Sequence, residues 1–495
     1  MALVRRRRDQ VFLFRQHFGA KLVRRAVLWR SALQSPSFTI STPTTTACFA
    51  ESPSGDRSGR PPFILAGVKL LWVLCIGMLA GADWPQWRGP GSQGISAESG
   101  LPVEWSAAKG VAWKAELGGT GTSSPIVVGD FVVVTSQAGS YETGDGSDPR
   151  LARDERALAG KERAIAVRAA KEVTLVVEAF GRADGKRVWE YRLAATGDRP
   201  ESHEKHNLAT PTPVTDGERV YAWFGNGQVV ALDLKGKEVW KRHLGSFMNQ
   251  WGHGSSPTLY KGLLLLLCDH RPGAYLLALD AKSGEVRWKV DRGKGRVSHS
   301  TPVVVAGASG DELIVNSDQR IDAYSPVTGE LLWWAGSERQ TPIPSAVFHG
   351  GTIYLSRGYR NSDIWALRPG GRGDVGATHM KWRMPTGGSY VPSILQYQGL
   401  LYMTNEVGVV TCAEVETGTV VWKERLGGIF FASPVAGDGK VYMLSETGEM
   451  FVLRSGRKME LLAKNELGER FLASPAIAGG RIFLRGDGNL FAVGR

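Results

Sequence analysis

The chain has 495 residues, of which 42% are hydrophobic, so it carries enough apolar side chains for a large core. Its formal net charge is +12, but residues 1–62 and Lys69 account for all except +3 of this excess. The near-neutral remainder, from Asp83 to Arg495, gives no electrostatic basis for nucleic-acid binding.

The first 82 residues are typical of targeting sequence rather than of a folded domain. Residues 1–62 contain the basic run Arg5-Arg6-Arg7-Arg8 and a Ser/Thr/Pro-rich stretch without periodicity. We interpret them as a disordered or over-annotated basic extension, with an amphipathic membrane or nucleic-acid arm as the alternative. Residues 63–82 join an apolar run to Ala80-Gly81-Ala82, which is the pattern of a signal peptide cleaved before Asp83.

This signal peptide predicts export to the periplasm or the extracellular space. A retained membrane anchor stays open as an alternative, because Phe63 to Ala80 approaches the length that spans a bilayer. Outer-membrane association is a further alternative. Lipid attachment is disfavoured, because Leu74 rather than a small residue precedes Cys75.

From Ser124 onward the chain is built from a repeat. Its clearest copy, Thr210 to Gly245, holds four short apolar runs separated by turns such as Asp216-Gly217 and Gly225-Asn226-Gly227. Apolar runs broken by such turns are typical of an antiparallel meander. Four strands of this length cannot bury their own faces, so each copy needs a neighbour on both sides.

A small residue followed by proline opens each copy, and its spacing counts the copies. After the first interval, successive prolines lie 41 to 48 residues apart, which is the period of a propeller blade. The first interval is 88 residues because residues 139–172 form an insertion in blade one. The markers are Ser124-Pro125, Thr212-Pro213, Ser256-Pro257, Thr301-Pro302, Ile343-Pro344, Val391-Pro392, Ser433-Pro434 and Ser474-Pro475.

The last copy, from Ser474 to Arg495, has only three strands. The segment from Val111 to Leu117 precedes the first marker and carries Trp113, as the fourth strand of other copies carries a tryptophan. We expect this segment to complete the last copy, because pairing there closes the ring and removes two exposed edges. The sequence therefore predicts an all-β fold: a monomeric eight-bladed β-propeller of four-stranded antiparallel blades over residues 83–495.

A second marker lies between the third and fourth strands of a copy, and Ala278 to Trp288 is its fullest version. Gly284 suits a turn at positive φ, and Trp288 offers a large flat surface to the neighbouring blade. Stacking on a cofactor is the alternative role of these tryptophans. Their regular spacing on outer strands favours packing.

This Ala-x-Asp-x-x-x-Gly-x-x-x-Trp unit, repeated around eight blades, resembles the pyrroloquinoline quinone (PQQ) repeat family. The opening from Asp83 to Pro90, DWPQWRGP, resembles the start of its secreted members. The family includes non-catalytic envelope proteins such as BamB as well as quinoprotein dehydrogenases. The resemblance thus implies an exported scaffold without a cofactor, which binds an envelope protein or a polysaccharide and associates peripherally with a membrane.

Candidate ligand-binding residues fall on one face, which we call the upper face: it holds the connections between blades and those between second and third strands. Three histidines precede the first strands of consecutive blades, where they are expected at the channel mouth. They form either a metal or polar-ligand cluster or hydrogen bonds to loop carbonyls. Loop side chains suit an anionic or carbohydrate-like ligand. The candidates are His206, His253 and His299, with Trp251, His270, Arg271, Arg320, Arg357, Tyr359 and Arg360.

The alternative hypothesis is a PQQ- and Ca²⁺-dependent dehydrogenase that oxidises alcohols or sugars. The resemblance then implies that Trp251 stacks on the quinone, that arginines bind its carboxylates and that oxygen-bearing side chains bind Ca²⁺. The adjacent cysteine pair of the alcohol dehydrogenases is absent from the sequence, which disfavours this reading. The implied residues are Arg320, Arg357 and Arg360 for PQQ, and Asn316, Asp318, Asn405 and Glu406 for Ca²⁺.

Two further expectations concern the insertion and the thiols. Residues from Asp148 to Glu172 are rich in Ala, Arg and Glu, which predicts a helix that could cover the channel. Cys268 and Cys412 lie in or beside apolar strands, which predicts buried thiols rather than a disulfide.

Overall fold

Eight sheets, each built on four antiparallel strands, surround a central channel and form an eight-bladed β-propeller. The computed structural model describes residues 83–143, 166–169, 172–200, 202–245, 247, 249, 251–270, 273–336, 342–358 and 362–495. Within them the chain is all-β apart from a 3-10 turn, Pro90–Ser92, and a short helix, Gly376–His379. The predicted fold is therefore confirmed. The basic extension and the signal peptide lie outside the described residues.

The blades are numbered in the order of their first strands, and each is given from the channel outwards. Blade 1 is Ile126–Val128, Phe131–Ala138, Thr174–Gly181 and Arg187–Ala194, and blade 2 is Val214–Thr215, Arg219–Trp223, Gln228–Asp233 and Glu238–His243. Blade 3 is Thr258–Tyr260, Leu263–Cys268, Ala274–Asp280 and Val286–Gly293, and blade 4 is Val303–Gly307, Gly310–Asn316, Ile321–Tyr324 and Leu331–Ala335. Blade 5 is Val347–His349, Thr352–Ser356, Ile364–Leu367 and Met380–Met384, and blade 6 is Leu395–Tyr397, Leu400–Thr404, Val409–Glu414 and Val420–Arg425. Blade 7 is Val435–Gly437, Lys440–Leu444, Glu449–Arg454 and Leu461–Glu466, and blade 8 is Ala476–Ala478, Arg481–Arg485, Asn489–Val493 and Val111–Glu116.

The closing strand of blade 8 comes from the front of the described chain. Val111–Glu116 pairs antiparallel with Asn489–Val493, with Lys114 opposite Phe491. From this strand the indole N–H of Trp113 donates to the carbonyl of Arg182 in blade 1 at 3.0 Å. The predicted closure is confirmed, and it also fastens blade 8 to blade 1.

A closed cycle of hydrogen bonds surrounds the channel, and we call it the hydroxyl girdle. In each blade the backbone N–H of one serine or threonine donates to the side-chain hydroxyl of its counterpart in the next blade, at 2.7–3.1 Å. Ser474 donates to Ser124 at 3.1 Å and completes the circle. The members are Ser124, Thr212, Ser256, Thr301, Ser345, Ser393, Ser433 and Ser474.

The girdle corrects the alignment of two sequence markers. In six blades the girdle residue precedes the marker proline, but in blades 5 and 6 Ser345 and Ser393 follow Pro344 and Pro392. Relative to the girdle residue, the marker proline of blades 5 and 6 therefore lies two positions earlier in the sequence than it does in the other six blades. A side-chain hydroxyl, rather than the proline, is the common element, because only the hydroxyl accepts the neighbour's N–H.

Tryptophans of outer strands join neighbouring blades, as their spacing predicts. The Trp240 indole donates to the carbonyl of Ala281 at 3.0 Å. Its ring lies against Gly284, whose φ of 72° and lack of a side chain permit this contact, since a Cβ there would come within 2.7 Å of the ring. Trp189, Trp382 and Trp422 donate in the same way, at 2.9–3.2 Å.

Blade 4 departs from this pattern because the turn that would receive its tryptophan is replaced by a longer loop. Trp333 donates instead to Glu312 of its own blade at 2.8 Å. From the loop, Gly373–Asp374 pairs in parallel with Trp333 and Trp334 as a fifth strand.

The core lies between blades and is assembled from second and third strands. Leu263–Cys268 is apolar throughout and almost entirely buried, because blades cover both of its faces. Outer strands such as Val111–Glu116 alternate between buried and exposed residues, because one face meets water. Cys268 and Cys412 are buried and free, which confirms the prediction for these thiols.

Residues 83–106 cross the lower face of the ring. Trp84 pairs with Val127 of blade 1, with N–O distances of 3.0 and 2.9 Å. The segment then contacts blades 2, 5, 7 and 8 through Pro85, Gln93, Ser96 and Glu98. This path brings Trp87 to the channel from below.

The insertion in blade 1 contributes strands rather than the predicted helix, as far as it is described. Tyr141–Thr143, Ala166–Ala169 and Ser202–His203 form a three-stranded antiparallel sheet. The prediction of a helix is thus wrong for residues 166–169, where pairing with Tyr141–Thr143 and Ser202–His203 overrides local propensity. Residues 144–165 lie outside the described part of the chain.

Candidate functional site

A cavity of about 260 Å³ lies on the channel axis. Seven of the eight girdle residues line its wall, and Trp87 lines it from below. Towards the upper face, aromatic and aliphatic side chains alternate with a few polar ones. These are His203, Lys205, His206, Trp251, His299, Ile343, Tyr390, Val391, Glu406, Phe431 and Leu472.

Two of the three predicted histidines meet at this cavity. His206 and His299 both line it, and their ring centroids lie 6.3 Å apart. Burial lowers the pKa of His206 to about 3 and that of His299 to about 4, so both imidazoles are neutral at pH 7. The ring nitrogens of His299 and the Nδ1 of His206 have no hydrogen-bond partner among the described residues.

His253 has a different environment. It is 2% exposed and packs on Trp223 and Phe247, with centroids 4.1 and 5.1 Å apart. Burial lowers the pKa of His253 to about 3. His253 is thus an interior residue of blades 2 and 3, although it occupies the same sequence position as its two counterparts.

The other predicted site residues near blades 2 and 3 have different locations: one lines the cavity, one is in the interior and one lies outside the described residues. Trp251 lines the cavity and lies 5.9 Å from the ring of His203, a residue that the sequence patterns did not single out. Burial lowers the pKa of His203 to about 4. His270 packs on Phe247 at 4.8 Å instead of facing the cavity. Arg271 lies outside the described residues.

Residues 202–207, which we call the strap, reach across the channel mouth. The strap begins in the insertion sheet through Ser202–His203, and its Lys205 ammonium lies 3.0 Å from Glu446 of blade 7. Glu446 also binds Arg470 at 2.7 Å, and the Lys205 ammonium lies 4.3 Å from the Phe431 ring centroid. Sequence patterns gave no sign of this pair, because 241 positions separate its members.

Arg320 belongs to a buried network of charges between blades 3 and 4. Asp322 accepts from Arg320 and Arg296 at 2.6 Å and from Arg292 at 3.2 Å. Arg292 also pairs with Asp269 at 2.7 Å. The guanidinium of Arg320 is therefore engaged by Asp322 within blade 4, whereas Arg292 joins this network to blade 3.

The candidates near the upper end of blade 4 are similarly engaged. Arg357 donates to the amide oxygen of Asn316, whose N–H₂ donates to the carbonyls of Pro344 and Ser356, both at 2.9 Å. Asp318 accepts from the Ser317 hydroxyl at 3.4 Å. Tyr359 and Arg360 lie outside the described residues.

The two candidates in blade 6 bind backbone amides. Asn405 accepts from the N–H of Val407 and Val409, at 3.2 and 2.9 Å, and so stabilises its own turn. Glu406 accepts from Tyr390 at 3.0 Å and from Val391 at 3.1 Å. Glu406 is also at the cavity wall, where burial raises its pKa.

Comparison with known proteins identifies the family. A family model described as outer membrane protein assembly factor BamB matches residues 92–256, 173–424, 378–458 and 408–493. The chain belongs to this family of PQQ-like β-propellers.

Curated relatives of this propeller family differ in what their names describe. Tetrathionate hydrolase of Acidithiobacillus ferrooxidans is 27% identical over 288 residues, which cover 54% of this chain and 53% of the hydrolase. BamB of Yersinia pestis is 23% identical over 54% of this chain and 69% of its own length. The chain thus spans about half of the hydrolase that it matches.

A solved structure from the dehydrogenase side of the family shares the fold. Quinohemoprotein alcohol dehydrogenase from Comamonas testosteroni superposes with a TM-score of 0.56 at 14% identity, over 84% of this chain and 82% of the dehydrogenase. An identity this low carries the fold and nothing about activity.

Arg320, Arg357 and Asn316, which the dehydrogenases imply for PQQ and Ca²⁺, already have protein partners. Nowhere in the described ranges do three His, Cys, Asp or Glu side chains converge as metal ligands. Arg320 and Arg357 are held by Asp322 and Asn316, and that contact occupies the Asn316 oxygen. Across the same ranges, no helix has the length and apolar character to cross a bilayer.

Proposed function

We propose that the chain is an exported, non-catalytic propeller that binds a protein partner in the cell envelope. Membership of the BamB-like family supports a role as a scaffold, as do relatives named for outer membrane protein assembly. The observation that carries the proposal is the engagement of the upper-face polar groups. Arg320, Asn316, Arg357 and Asn405 hold the fold together, which leaves the rim, rather than a catalytic centre, to meet other molecules.

The rim offers an apolar surface at blades 6 and 7. Val407 is 57% exposed and Ile429 is 40% exposed, although large apolar side chains are usually covered. The two loops are joined, because the N–H of Leu426 donates to the carbonyl of Gly408 at 2.9 Å. Arg425 donates to the Val407 carbonyl beside them.

These residues suit a protein segment that presents apolar side chains flanked by acidic ones, since Arg425 borders Val407 and Arg470 binds Glu446, whose backbone N–H donates to the Ile429 carbonyl. We call Val407, Ile429, Arg425 and Arg470 the rim patch. A polysaccharide would need aromatic faces open to water. Trp251 and Tyr390, two aromatic side chains of this face, are half-buried at the cavity wall.

Site-specific cross-linking tests the rim patch. A photoreactive amino acid is placed at position 407 in the full chain, in the cells that produce it, and irradiated products are analysed by mass spectrometry. We expect one protein adduct, which Ile429→Asp abolishes. Position 286 on the outer strand of blade 3 is the matched control, because Val286 is 61% exposed and lies away from the upper face. Equal adducts at both positions would contradict the proposal.

The dehydrogenase alternative is tested on the purified protein with PQQ and Ca²⁺. We expect no saturable binding of the pair and no reduction of an electron-accepting dye in the presence of alcohols or sugars. Binding with turnover would overturn the non-catalytic assignment, whatever the cross-linking shows.

A further inference from the structure

The wall of the axial cavity combines flat apolar surfaces with a ring of hydroxyl groups. Trp87, Trp251, Tyr390 and Phe431 supply aromatic surface, and Ile343 and Leu472 supply aliphatic surface. An apolar cavity of about 150 Å³ can hold a benzene molecule. The volume of about 260 Å³ found here is therefore suited to a bicyclic aromatic molecule.

The charges at the wall disfavour an ionic ligand. Lys205 pairs with Glu446 at 3.0 Å, and Arg470, which shares that carboxylate, also lies 3.8 Å from Asp487, so the two cations face two carboxylates. Glu406 accepts two backbone N–H groups, and Glu204 is exposed to water. His206 and His299 are neutral at pH 7. An anion would lose its hydration without gaining a free counter-charge, and a cation would face only the amide-bound Glu406 and the water-exposed Glu204.

Polar atoms without partners mark where a ligand would hydrogen-bond. His299 is only 5% exposed, lines the cavity and has no partner in the described residues for either ring nitrogen. The Nδ1 of His206, on the facing ring, is also buried and has no hydrogen-bond partner in the described residues. Buried polar groups are nearly always hydrogen-bonded in proteins, and these two imidazoles, unlike that of His253, face a cavity from which a ligand can supply the partner.

We propose that the axial cavity binds one uncharged bicyclic aromatic molecule, stacked on Trp251 and Tyr390, whose hydroxyl or carbonyl group hydrogen-bonds to the His206–His299 pair. This ligand class differs from PQQ, whose three carboxylates find no free cation at the described wall. The inference does not depend on the partner protein proposed above.

Isosteric probes test the charge preference on the purified full chain. Equilibrium dialysis compares 2-naphthol with naphthalene-2-sulfonate and 2-naphthylmethylammonium at pH 7. We expect one saturable 2-naphthol site per chain and at least tenfold weaker binding of both ions. Absence of saturable 2-naphthol binding would overturn the proposal, and so would an affinity for either ion equal to that for 2-naphthol.

Two variants locate the site. Gly254 lies at the cavity wall, and a Cβ there would be 3.4 Å from the Cβ of His299 and 3.5 Å from Cε1 of His206. Gly254→Leu should therefore fill the space between the rings and weaken 2-naphthol binding at least tenfold. Val286→Ala, on an outer strand, is the control and should leave it unchanged. Unaltered binding by Gly254→Leu would place the probe elsewhere and refute the assignment.

The hydrogen bond is isolated by pairing a variant with a probe that lacks the hydroxyl. His299→Phe keeps an aromatic ring but removes both nitrogens. We expect it to weaken 2-naphthol about three- to tenfold while changing naphthalene less than about twofold. Equal losses for both probes would show a packing defect and contradict the assigned role of His299.

Discussion

At the scale of single residues, the upper face depends on Asp322. This carboxylate is fully buried and accepts from three arginines, Arg292, Arg296 and Arg320. Removing one partner of a buried ion pair leaves uncompensated charge without water. The arrangement makes Asp322 a more sensitive position than any of the arginines that surround it.

Asp322→Asn should lower the free energy of unfolding by about 3–5 kcal/mol, because it removes the carboxylate charge that the largely buried guanidinium of Arg296 pairs with at 2.6 Å. Urea unfolding followed by tryptophan fluorescence measures the loss. The control is Glu330→Gln, whose pair with Arg372 at 2.6 Å is exposed on both sides and should contribute less than about 1 kcal/mol. A similar loss in both variants would contradict the role of burial.

The buried histidines make stability depend on pH. His253 has a folded pKa of about 3, below its unfolded value of about 6.5. The unfolded chain therefore binds more protons below pH 6.5, and the stability present above that value is lost as pH falls towards 3. Each such histidine contributes a slope of up to about 1.4 kcal/mol per pH unit in this window.

His253→Phe should reduce the slope of the free energy of unfolding against pH, between pH 6 and 4, by the contribution of about one bound proton. The reason is that phenylalanine can pack on Trp223 and Phe247 without titrating. Urea midpoints across the pH series provide the measurement. His349→Phe, an exposed position on the lower edge of blade 5, serves as the control and should leave the slope as it is. An unchanged slope in His253→Phe would mean that its imidazole titrates normally.

At the scale of elements, the outer-strand tryptophans and the girdle both join neighbouring blades, the tryptophans near the outside of the ring and the girdle at the channel. Trp113 fastens blade 8 to blade 1 near the outside through the carbonyl of Arg182, and Ser474 does so at the channel through Ser124. The first of these contacts also buries a large aromatic surface, so it contributes more to stability.

Trp113→Ala should therefore destabilise the ring by about 3–5 kcal/mol, the usual loss when a buried aromatic side chain is truncated. Thermal and urea unfolding of the full chain measure it. Val188→Ala, 54% exposed on the outer strand of blade 1, should change stability by less than about 0.5 kcal/mol. A small effect of Trp113→Ala would imply that closure at the girdle suffices.

The sequence predicts these elements well where the signal is local. The turn glycines, the docking tryptophans and the lone strand around Trp113 are all visible as spacing. The strap is not, because the contact between Lys205 and Glu446 joins residues 241 positions apart. The helix expected from Asp148 onward rested on composition alone, whereas pairing with Tyr141–Thr143 and Ser202–His203 decides the conformation of residues 166–169. His253 likewise shares its sequence position with two cavity residues but faces Trp223.

At the scale of the whole molecule, ring closure makes the blades cooperative. Cys268 and Cys412 lie in blades 3 and 6, and burial raises the pKa of the Cys412 thiol to about 12 and raises that of Cys268 as well. Thiolates form only when these strands are exposed to solvent.

Both thiols should consequently react with a disulfide reagent at one common, slow rate that rises with urea as the ring unfolds. Mass spectrometry of quenched samples follows each cysteine separately, and denatured protein provides the reference rate. Reaction of one thiol well ahead of the other would indicate that blades 3 and 6 open independently.

The origin of the closing strand also sets an order of events in biosynthesis. Val111–Glu116 is made before all eight marker segments of the ring, and its partner Asn489–Val493 is made after them. The first of these strands must therefore wait, unpaired, while the blades between them are synthesised. The ring therefore cannot close until both of these strands have emerged, and the blades made in between must wait in an open array.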